Sequence, residues 1–363
     1  MSSLIKDDIS RVSPGEHYVI TLPGLAPDAA ALAEMAQKRK ARKERLLVVC
    51  ADSIDVIRLS QEIRFFDPSL NVVTFPDWET LPYDVLSPQE TIVSERLETL
   101  YRITQAGSDV DVVIVSAITA AQRLAPVSFV GGNTFFFAVG DRLDIESLRA
   151  NLVKAGYAHV QQVLAAGEFA VRGSLIDVFP MGSEHPFRLD MFDDEIDSIR
   201  WFDIETQRSM EAVDRIRLLP GHEFPVHETA LADFRQRWRT RFPGDPAKSL
   251  IYRDISNGVL PAGIEYYLPL FFDETASFAD YFGEGTAVVT CGDIQATLAA
   301  FMRDTNSRAA MLAGDKARPP LSPSELWLDA ESFFVALNRF ARFSLRWNEE
   351  AIRDRRAALK AAT

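Results

Sequence analysis

The sequence predicts an α/β fold in which a parallel sheet is interrupted by a small α+β domain. Over the first ~130 residues, short continuous apolar runs alternate with helical patterns, and such runs are typical of strands buried on both faces. Strand–helix–strand alternation favours a parallel sheet with right-handed crossovers. Near Gly131 the pattern changes to closely spaced strand-like segments, which continue from about Glu168 to Leu219. Mixed helix and strand returns after Pro220, which indicates an insertion.

Helix termini and apolar spacing place the first elements. A helix begins at Pro27 and ends at three basic residues, 38–40, as the helix dipole favours. A buried strand follows at 46–50, and Asp52 or Ser53 caps the next helix. That second helix is predicted to bury a face that carries Val56, Leu59, Ile63 and Phe66.

The later elements complete the predicted domain organisation. They are, in order, a strand at 71–75, a helix around Ile92 to Tyr101, a strand at 110–115, a helix at 145–155, a strand at 286–290 whose following helix is capped by Asp293, and a charged helix at 348–363. We predict one domain formed by residues 1–133 and 221–363 and a second formed by residues 134–220. Consecutive domains are the alternative, because the sequence does not show whether the last third rejoins the first.

Composition limits what the chain can do. Its 363 residues carry a formal net charge of −13, which disfavours sequence-independent DNA binding over the whole surface, because phosphate neutralisation needs Lys and Arg. The two cysteines, Cys50 and Cys291, each end an apolar run and are predicted to be buried. Two isolated thiols, an acidic N-terminus and the lack of an apolar stretch of ~18–20 residues predict a cytoplasmic protein without a membrane span.

The motifs of common enzymes are missing from the sequence. There is no Gly-Lys dipeptide and hence no P-loop, and Pro23 and Pro27 remove N–H donors from the segment where a phosphate would bind. Neither a Gly-x-Ser-x-Gly elbow nor a His-Glu-x-x-His pair occurs. Pro225 separates His222 from His227, and both are interpreted as loop-surface residues. We predict no catalytic residue, no cofactor and no metal site.

Two charged segments have a second interpretation. The acidic segment 193–197 lies between alternating segments, so a hairpin turn is favoured over a carboxylate metal site. The basic run 38–45 is interpreted as a solvated helix end, with a phosphate-binding patch as the alternative. Together with the α/β start, this run supports an alternative function, a cryptic nucleotide-hydrolysing or DNA-remodelling domain.

The segment 187–192 gives the clearest sign of a binding surface. Alternation along a strand places one set of side chains in the core and the other on the opposite face. The sets are Phe187, Leu189 and Met191, and Arg188, Asp190 and Phe192. An aromatic anchor near a guanidinium is typical of protein-docking patches, although a helix covering Phe192 is an equally good interpretation. Arg172, which is predicted to open a neighbouring strand, adds a second cation, and arginines on one face of an acidic domain favour an acidic protein partner.

Four strings in the sequence resemble signatures of the bacterial transcription-repair coupling factors. They are Asp-Trp-Glu-Thr-Leu-Pro-Tyr-Asp at 77–84, Gly-Glu-Phe-Ala-Val-Arg-Gly-Ser-Leu-Ile-Asp-Val-Phe-Pro at 167–180, Asp-Asp-Glu-Ile-Asp-Ser at 193–198 and Leu-Pro-Ala-Gly-Ile-Glu-Tyr at 260–266. The match runs through essentially the whole chain and covers only the family's N-terminal module, which is similar to the excision-repair protein UvrB. The resemblance implies a degenerate P-loop-type, RecA- and UvrB-like parallel-sheet domain, split by a second domain that binds UvrA. UvrB's P-loop is missing, and only the short segment 86–90 stands where UvrB has a long β-hairpin, so the resemblance does not imply ATP hydrolysis or damage verification.

The resemblance also implies a function and a site. The family's UvrA contact falls on Arg172, Arg188 and Phe192. The implied role is an adaptor in transcription-coupled nucleotide excision repair that mimics UvrB and recruits UvrA to stalled transcription complexes. The full-length family protein is an ATP-dependent DNA translocase that displaces stalled RNA polymerase. Its ATP site and its contacts with DNA and RNA polymerase are implied to lie beyond residue 363, and its C-terminal region is implied to cover the UvrA-binding face.

Overall fold

The computed structural model describes residues 12–22 and 28–347. The acidic N-terminus, the prolines at 23 and 27 and the helix predicted at 348–363 lie outside these residues. Within the described ranges, every helix is either too short or too polar to cross a membrane.

The strands and helices follow the predicted alternation. The strands are β1 His17–Leu22, β2 Leu46–Cys50, β3 Val72–Phe75, β4 Val112–Ser116, β5 Phe135–Ala138, β6 Ala158–His159, β7 Glu168–Arg172, β8 Leu175–Val178, β9 Phe187–Phe192, β10 Glu195–Phe202, β11 Ser209–Val213, β12 Arg215–Leu218, β13 Ala287–Cys291 and β14 Ala341–Trp347. The α-helices are α1 Asp28–Lys40, α2 Ser53–Phe66, α3 Glu90–Thr104, α4 Ala117–Ala120, α5 Val127–Gly132, α6 Ile145–Lys154, α7 Glu228–Arg241, α8 Leu250–Ser256, α9 Ile294–Leu312, α10 Pro323–Leu326 and α11 Ala330–Leu337. Shorter 3₁₀ helices span Pro246–Lys248, Ile264–Phe271 and Phe278–Tyr281.

A parallel sheet lies at the centre of the larger part of the molecule. Its strand order is β1-β14-β13-β2-β4-β3, and every neighbouring pair is parallel. Strands from the first and last parts of the chain therefore lie side by side. Every residue of β2 and β13 is buried, which explains their continuous apolar sequences. The predicted α/β class with a parallel sheet is confirmed.

The segment between these two parts forms a second sheet. Strands β7 to β11 are antiparallel in the order β11-β10-β9-β8-β7, and the short β6 adds to β7 in parallel. Strands β5 and β12 form a separate two-stranded sheet. One apolar cluster runs from Val113 and Val115 of the parallel sheet to Phe169 and Leu189 of the second sheet, so the two sheets share a core.

Helix α3 holds both smaller sheets against the parallel sheet. The Ser94 hydroxyl accepts a 2.7 Å hydrogen bond from the backbone N–H of Gly182. The guanidinium of Arg217 pairs with the Glu98 carboxylate and lies 4.4 Å from the centre of the Tyr101 ring. These contacts are made by successive turns of one helix, so they restrict how the two smaller sheets can move relative to the parallel sheet.

The predictions for α2 are confirmed except at its last residue. Asp52 caps that helix by accepting a hydrogen bond from the N–H of Ile54, while Leu59 and Ile63 are buried. Phe66, predicted to lie on the same buried face, is exposed, because it is the last residue of the helix and contacts Phe65 at the protein surface.

Both cysteines are buried free thiols, as predicted. Cys50 and Cys291 are direct neighbours on the paired strands β2 and β13. The hydrogen bond with Cys50, together with burial, raises the pKa of the Cys291 thiol. A raised pKa disfavours the reactive thiolate, so these side chains fill the core as small apolar residues.

Candidate partner-docking face

The predicted alternation along β9 is present in the structure. Leu189 and Met191 are buried in the shared core, whereas Asp190 and Phe192 are exposed on the opposite side of the sheet. Phe187 also packs against the core, although it is only partly buried. The face that carries Arg188 and Phe192 is called the docking face below.

Phe192 lies at the end of β9 with 78% of its surface exposed. The interpretation that a helix covers it is therefore wrong. The turn to β10 follows immediately, and Asp193 has a φ of 59°, a left-handed conformation that Asp tolerates better than most residues. The predicted hairpin at the acidic segment is confirmed. This turn keeps the Phe192 ring at the end of strand β9, where a partner can reach it.

Arg172 occupies a different place from the one predicted. It is the last residue of β7 and does not open a strand, and Gly173 follows it with a φ of 61° in the turn to β8. β8 lies between β7 and β9, so Arg172 and Arg188 are two strands apart. Their guanidinium groups nevertheless approach each other, because both bind the same acceptor on β8, the strand between them.

That acceptor is Asp177, a residue that sequence reasoning missed. Its carboxylate is 1% exposed and lies on β8 directly opposite Arg188. Arg188 donates to it twice, from Nε to Oδ1 at 2.6 Å and from Nη2 to Oδ2 at 2.9 Å. Arg172 donates from Nη2 to Oδ2. Two cations around one anion leave this trio of side chains with a net charge of +1, and the exposed Asp190 adds a negative charge on the same face.

The two arginines differ in their remaining contacts. Nη1 of Arg188 also donates to the carbonyl oxygen of Gln207 at 3.1 Å and to the hydroxyl of Ser209 at 3.3 Å. The Arg188 guanidinium lies 4.8 Å from the ring centre of the buried Phe202. The hydrogen bonds to Asp177 raise the pKa of Arg188 further above its ordinary value. Arg172 donates only to Asp177 among the described residues, and 47% of its side chain is exposed.

A signal for Asp177 is present in the sequence but is weak. In the run Leu175–Val178 the acid interrupts an apolar strand, which suggests a buried carboxylate with a cationic partner. Identifying that partner requires the strand order β7-β8-β9, which local periodicity does not provide.

The basic run at 38–45 is largely engaged within the molecule. Lys38 pairs with Glu34, Arg39 with Glu44 and Lys40 with Asp111, and Arg45 donates to the carbonyl oxygens of Ile103 and Gln105. These contacts favour the interpretation as a helix end over a phosphate-binding patch.

His222 lies in a loop, as predicted, but its side chain is only partly exposed. It stacks on Phe224, with the ring centres 5.5 Å apart, and a Cβ added to Gly156 would lie 2.8 Å from its ring. Burial lowers the pKa of His222 to about 4. Within residues 12–22 and 28–347, acidic, histidine and cysteine side chains do not gather into a cluster that could hold a metal ion.

The fold and the docking face define the class of protein. Residues 135–224, which contain the docking face, match the family model described as "UvrB interaction domain". The chain is 41% identical over 343 residues to the transcription-repair-coupling factor of Escherichia coli (strain K12), covering 91% of this chain. The corresponding protein of Haemophilus influenzae is 41% identical over 92% of this chain, and that of Mycobacterium tuberculosis is 32% identical over 74%.

The chain belongs to the transcription-repair-coupling factor family and corresponds to its N-terminal, UvrB-homologous module. The resemblance of the four sequence strings is thereby confirmed. The chain spans 29% of the length of the Escherichia coli and Haemophilus influenzae proteins and 22% of the Mycobacterium tuberculosis protein.

Proposed function

We propose that this chain is an adaptor of transcription-coupled nucleotide excision repair that mimics UvrB and recruits UvrA to stalled transcription complexes. Arg172, Arg188 and Phe192 form the recruiting face. The observation that carries the proposal is the arrangement of two guanidiniums around Asp177 on the same face of the sheet as an exposed aromatic ring, within the segment that matches the UvrB interaction domain. An apolar anchor flanked by arginine is the composition of protein-binding hot spots.

The domain organisation is part of the same proposal. Residues 1–133 and 221–363 form a UvrB-like, degenerate P-loop-type domain, and residues 134–220 form the UvrA-interaction domain. The parallel sheet supports this division, because β13 and β14 join β1 to β4 while β6 to β11 form a sheet of their own. The chain acts in the cytoplasm.

In the longer protein, this module works beside a motor. That motor is an ATP-dependent DNA translocase that displaces stalled RNA polymerase, and it supplies the contacts with DNA, ATP and polymerase. The C-terminal region of the longer protein covers the docking face until recruitment. The names of the relatives and the 29% of their length that the chain matches support this assignment. The module itself contributes a surface and no reaction.

The contacts at the start of α1 argue against the alternative function, nucleotide hydrolysis. The carboxylate of Asp28 accepts a 2.9 Å hydrogen bond from the N–H of Ala29, at the helix end where a P-loop fold would bind phosphate. Arg58 donates to the same carboxylate from Nη1 at 2.8 Å and from Nη2 at 2.7 Å. A buried anion already paired with a cation opposes the entry of a second anion.

Replacing Arg172 or Phe192 by alanine is expected to weaken UvrA binding while the fold survives. A charge-assisted hydrogen bond is worth ~1.5–3 kcal/mol, so Arg172→Ala should raise the dissociation constant about tenfold or more. Phe192→Ala removes an anchor of the kind that contributes about 2 kcal/mol or more to an interface. Binding is measured by calorimetry with purified UvrA.

Matched controls are available elsewhere on the surface. Arg215→Ala removes an exposed arginine from β12, and Phe65→Ala removes an exposed phenylalanine from α2. Both variants should bind UvrA like the parent. If Arg172→Ala and Phe192→Ala also bind like the parent, the proposed function of this face is wrong.

A further inference from the structure

We propose that Arg188 acts in docking through Asp177, as a positioning residue, and that Arg172 and Phe192 touch the partner directly. The inference rests on the proposed function of the docking face and assigns different roles to its residues. Asp177 joins the site as the group that orients both guanidiniums.

The hydrogen bonds of Arg188 are nearly saturated inside the chain. Of the five N–H groups of a guanidinium, its contacts with Asp177, Gln207 and Ser209 use four. Phe202 covers one side of the group, and only 16% of the Arg188 side chain is exposed. A partner could reach at most the one remaining N–H of Arg188 without breaking these contacts, and a new bond that replaced one of them would gain little, because the lost bond offsets it.

Arg172 has the opposite character. Among the described residues, one of its five N–H groups has an acceptor, Asp177, and the side chain is about half exposed at the end of β7. The contact with Asp177 fixes the direction of the guanidinium before binding, so less side-chain entropy is lost on docking. The remaining N–H groups are available for a carboxylate of the partner.

Asp177 needs both arginines because it is buried. A buried carboxylate left with one half-exposed cation is poorly compensated, and removing one partner of a buried ion pair is costly. Without Arg188, the carboxylate is expected to draw the Arg172 guanidinium inward and to lose its own position in the sheet. Arg188 therefore affects the binding of the partner without contacting it.

A double-variant experiment separates positioning from direct contact. Arg188→Met is expected to weaken binding to purified UvrA about tenfold or more, because it leaves the buried charge of Asp177 undercompensated. Arg188→Met combined with Asp177→Asn removes both charges and keeps an oxygen that can accept from Arg172. This double variant should bind within about threefold of the parent. Arg215→Met serves as the control for the loss of one positive charge, and thermal unfolding of each variant reports the fold.

A double variant that folds and binds as weakly as Arg188→Met would overturn the inference, because a direct contact is not restored by removing Asp177. Arginine labelling of the unsubstituted chain gives a second measurement that needs no variant to fold. Phenylglyoxal should modify Arg172 in the free chain, UvrA should suppress that reaction, and Arg188 should stay unmodified in both states. Labelling of Arg188 that UvrA suppresses would contradict the positioning role.

These experiments distinguish a wrong role for Arg188 from a wrong function for the docking face. If Arg172→Ala and Phe192→Ala weaken UvrA binding but the double variant does not recover it, the docking face is supported and the positioning role of Arg188 is wrong. If none of these substitutions changes binding, both the proposed function and this inference are wrong.

Discussion

Replacing Arg96 by methionine is expected to lower the free energy of unfolding by about 3–5 kcal/mol, because it leaves a buried carboxylate without its cation. Arg96 lies on α3, is fully buried, and donates from Nε to Oε1 of Glu223 at 2.9 Å. Its Nη1 donates to the carbonyl oxygen of Pro76 at 2.7 Å. The guanidinium lies 4.3 Å from the ring centre of Phe75 and 5.3 Å from that of Trp78, and neither ring can replace the lost charge.

The same pair joins distant parts of the chain. The Trp78 indole N–H donates to the other oxygen of Glu223 at 2.7 Å, so one carboxylate links the segment after β3, helix α3 and the chain that follows β12. Loss of Arg96 should therefore loosen the junction between these segments as well as the core. Urea unfolding measures the stability, and hydrogen exchange should show faster exchange in α3 and near Trp78.

Arg102→Met provides a matched control on the same helix. Arg102 pairs with Asp109 at 2.9 Å, but both side chains reach solvent, and exposed pairs of this kind contribute ~0–1 kcal/mol. Equal losses for Arg96→Met and Arg102→Met would contradict the assignment of Arg96 as the cation of a buried junction.

The elements predicted best from sequence are those whose burial leaves a local pattern. β2 and β13 are continuous apolar runs because both of their faces are covered, and Asp52 marks a helix start because the capping oxygen precedes the helix directly. Phe192 was found in the same way, since period-two alternation separates it from Met191. These features depend on neighbours in sequence.

The features that sequence reasoning missed depend on pairing between distant strands and segments. Asp177 becomes the centre of the docking face only because β8 lies between β7 and β9, and Glu223 meets Trp78 across 145 positions of sequence. The partial burial of His222 was missed for the same reason, because its neighbour Gly156 comes from the turn after α6. The functional attribution of Arg172, Arg188 and Phe192 came from the family resemblance, and it stays a prediction until binding is measured.

Glu265→Gln is expected to make the protein more stable at pH 8 and to leave its stability at pH 5 nearly unchanged. Glu265 is the second residue of the 3₁₀ helix that begins at Ile264, where it is buried and accepts a 2.8 Å hydrogen bond from the hydroxyl of Ser87. Burial, together with the nearby charge of Glu223, raises the pKa of Glu265 from 4.5 to about 7.

The raised pKa sets the direction of the pH dependence. The folded chain binds this proton more tightly than the unfolded chain, so the stability associated with Glu265 is fully present below pH 4.5 and is lost as the pH rises through about 7. The shift corresponds to roughly 3 kcal/mol at pH 8. A neutral glutamine avoids this loss, so the stability curves of parent and variant should diverge between pH 5 and pH 8.

Urea unfolding across that range measures the divergence, and Glu274→Gln, at an exposed position, should follow the parent. Parallel curves for parent and Glu265→Gln would show that Glu265 does not retain its proton near neutral pH, and that the Ser87 hydroxyl is sufficient to hold the buried carboxylate ionised.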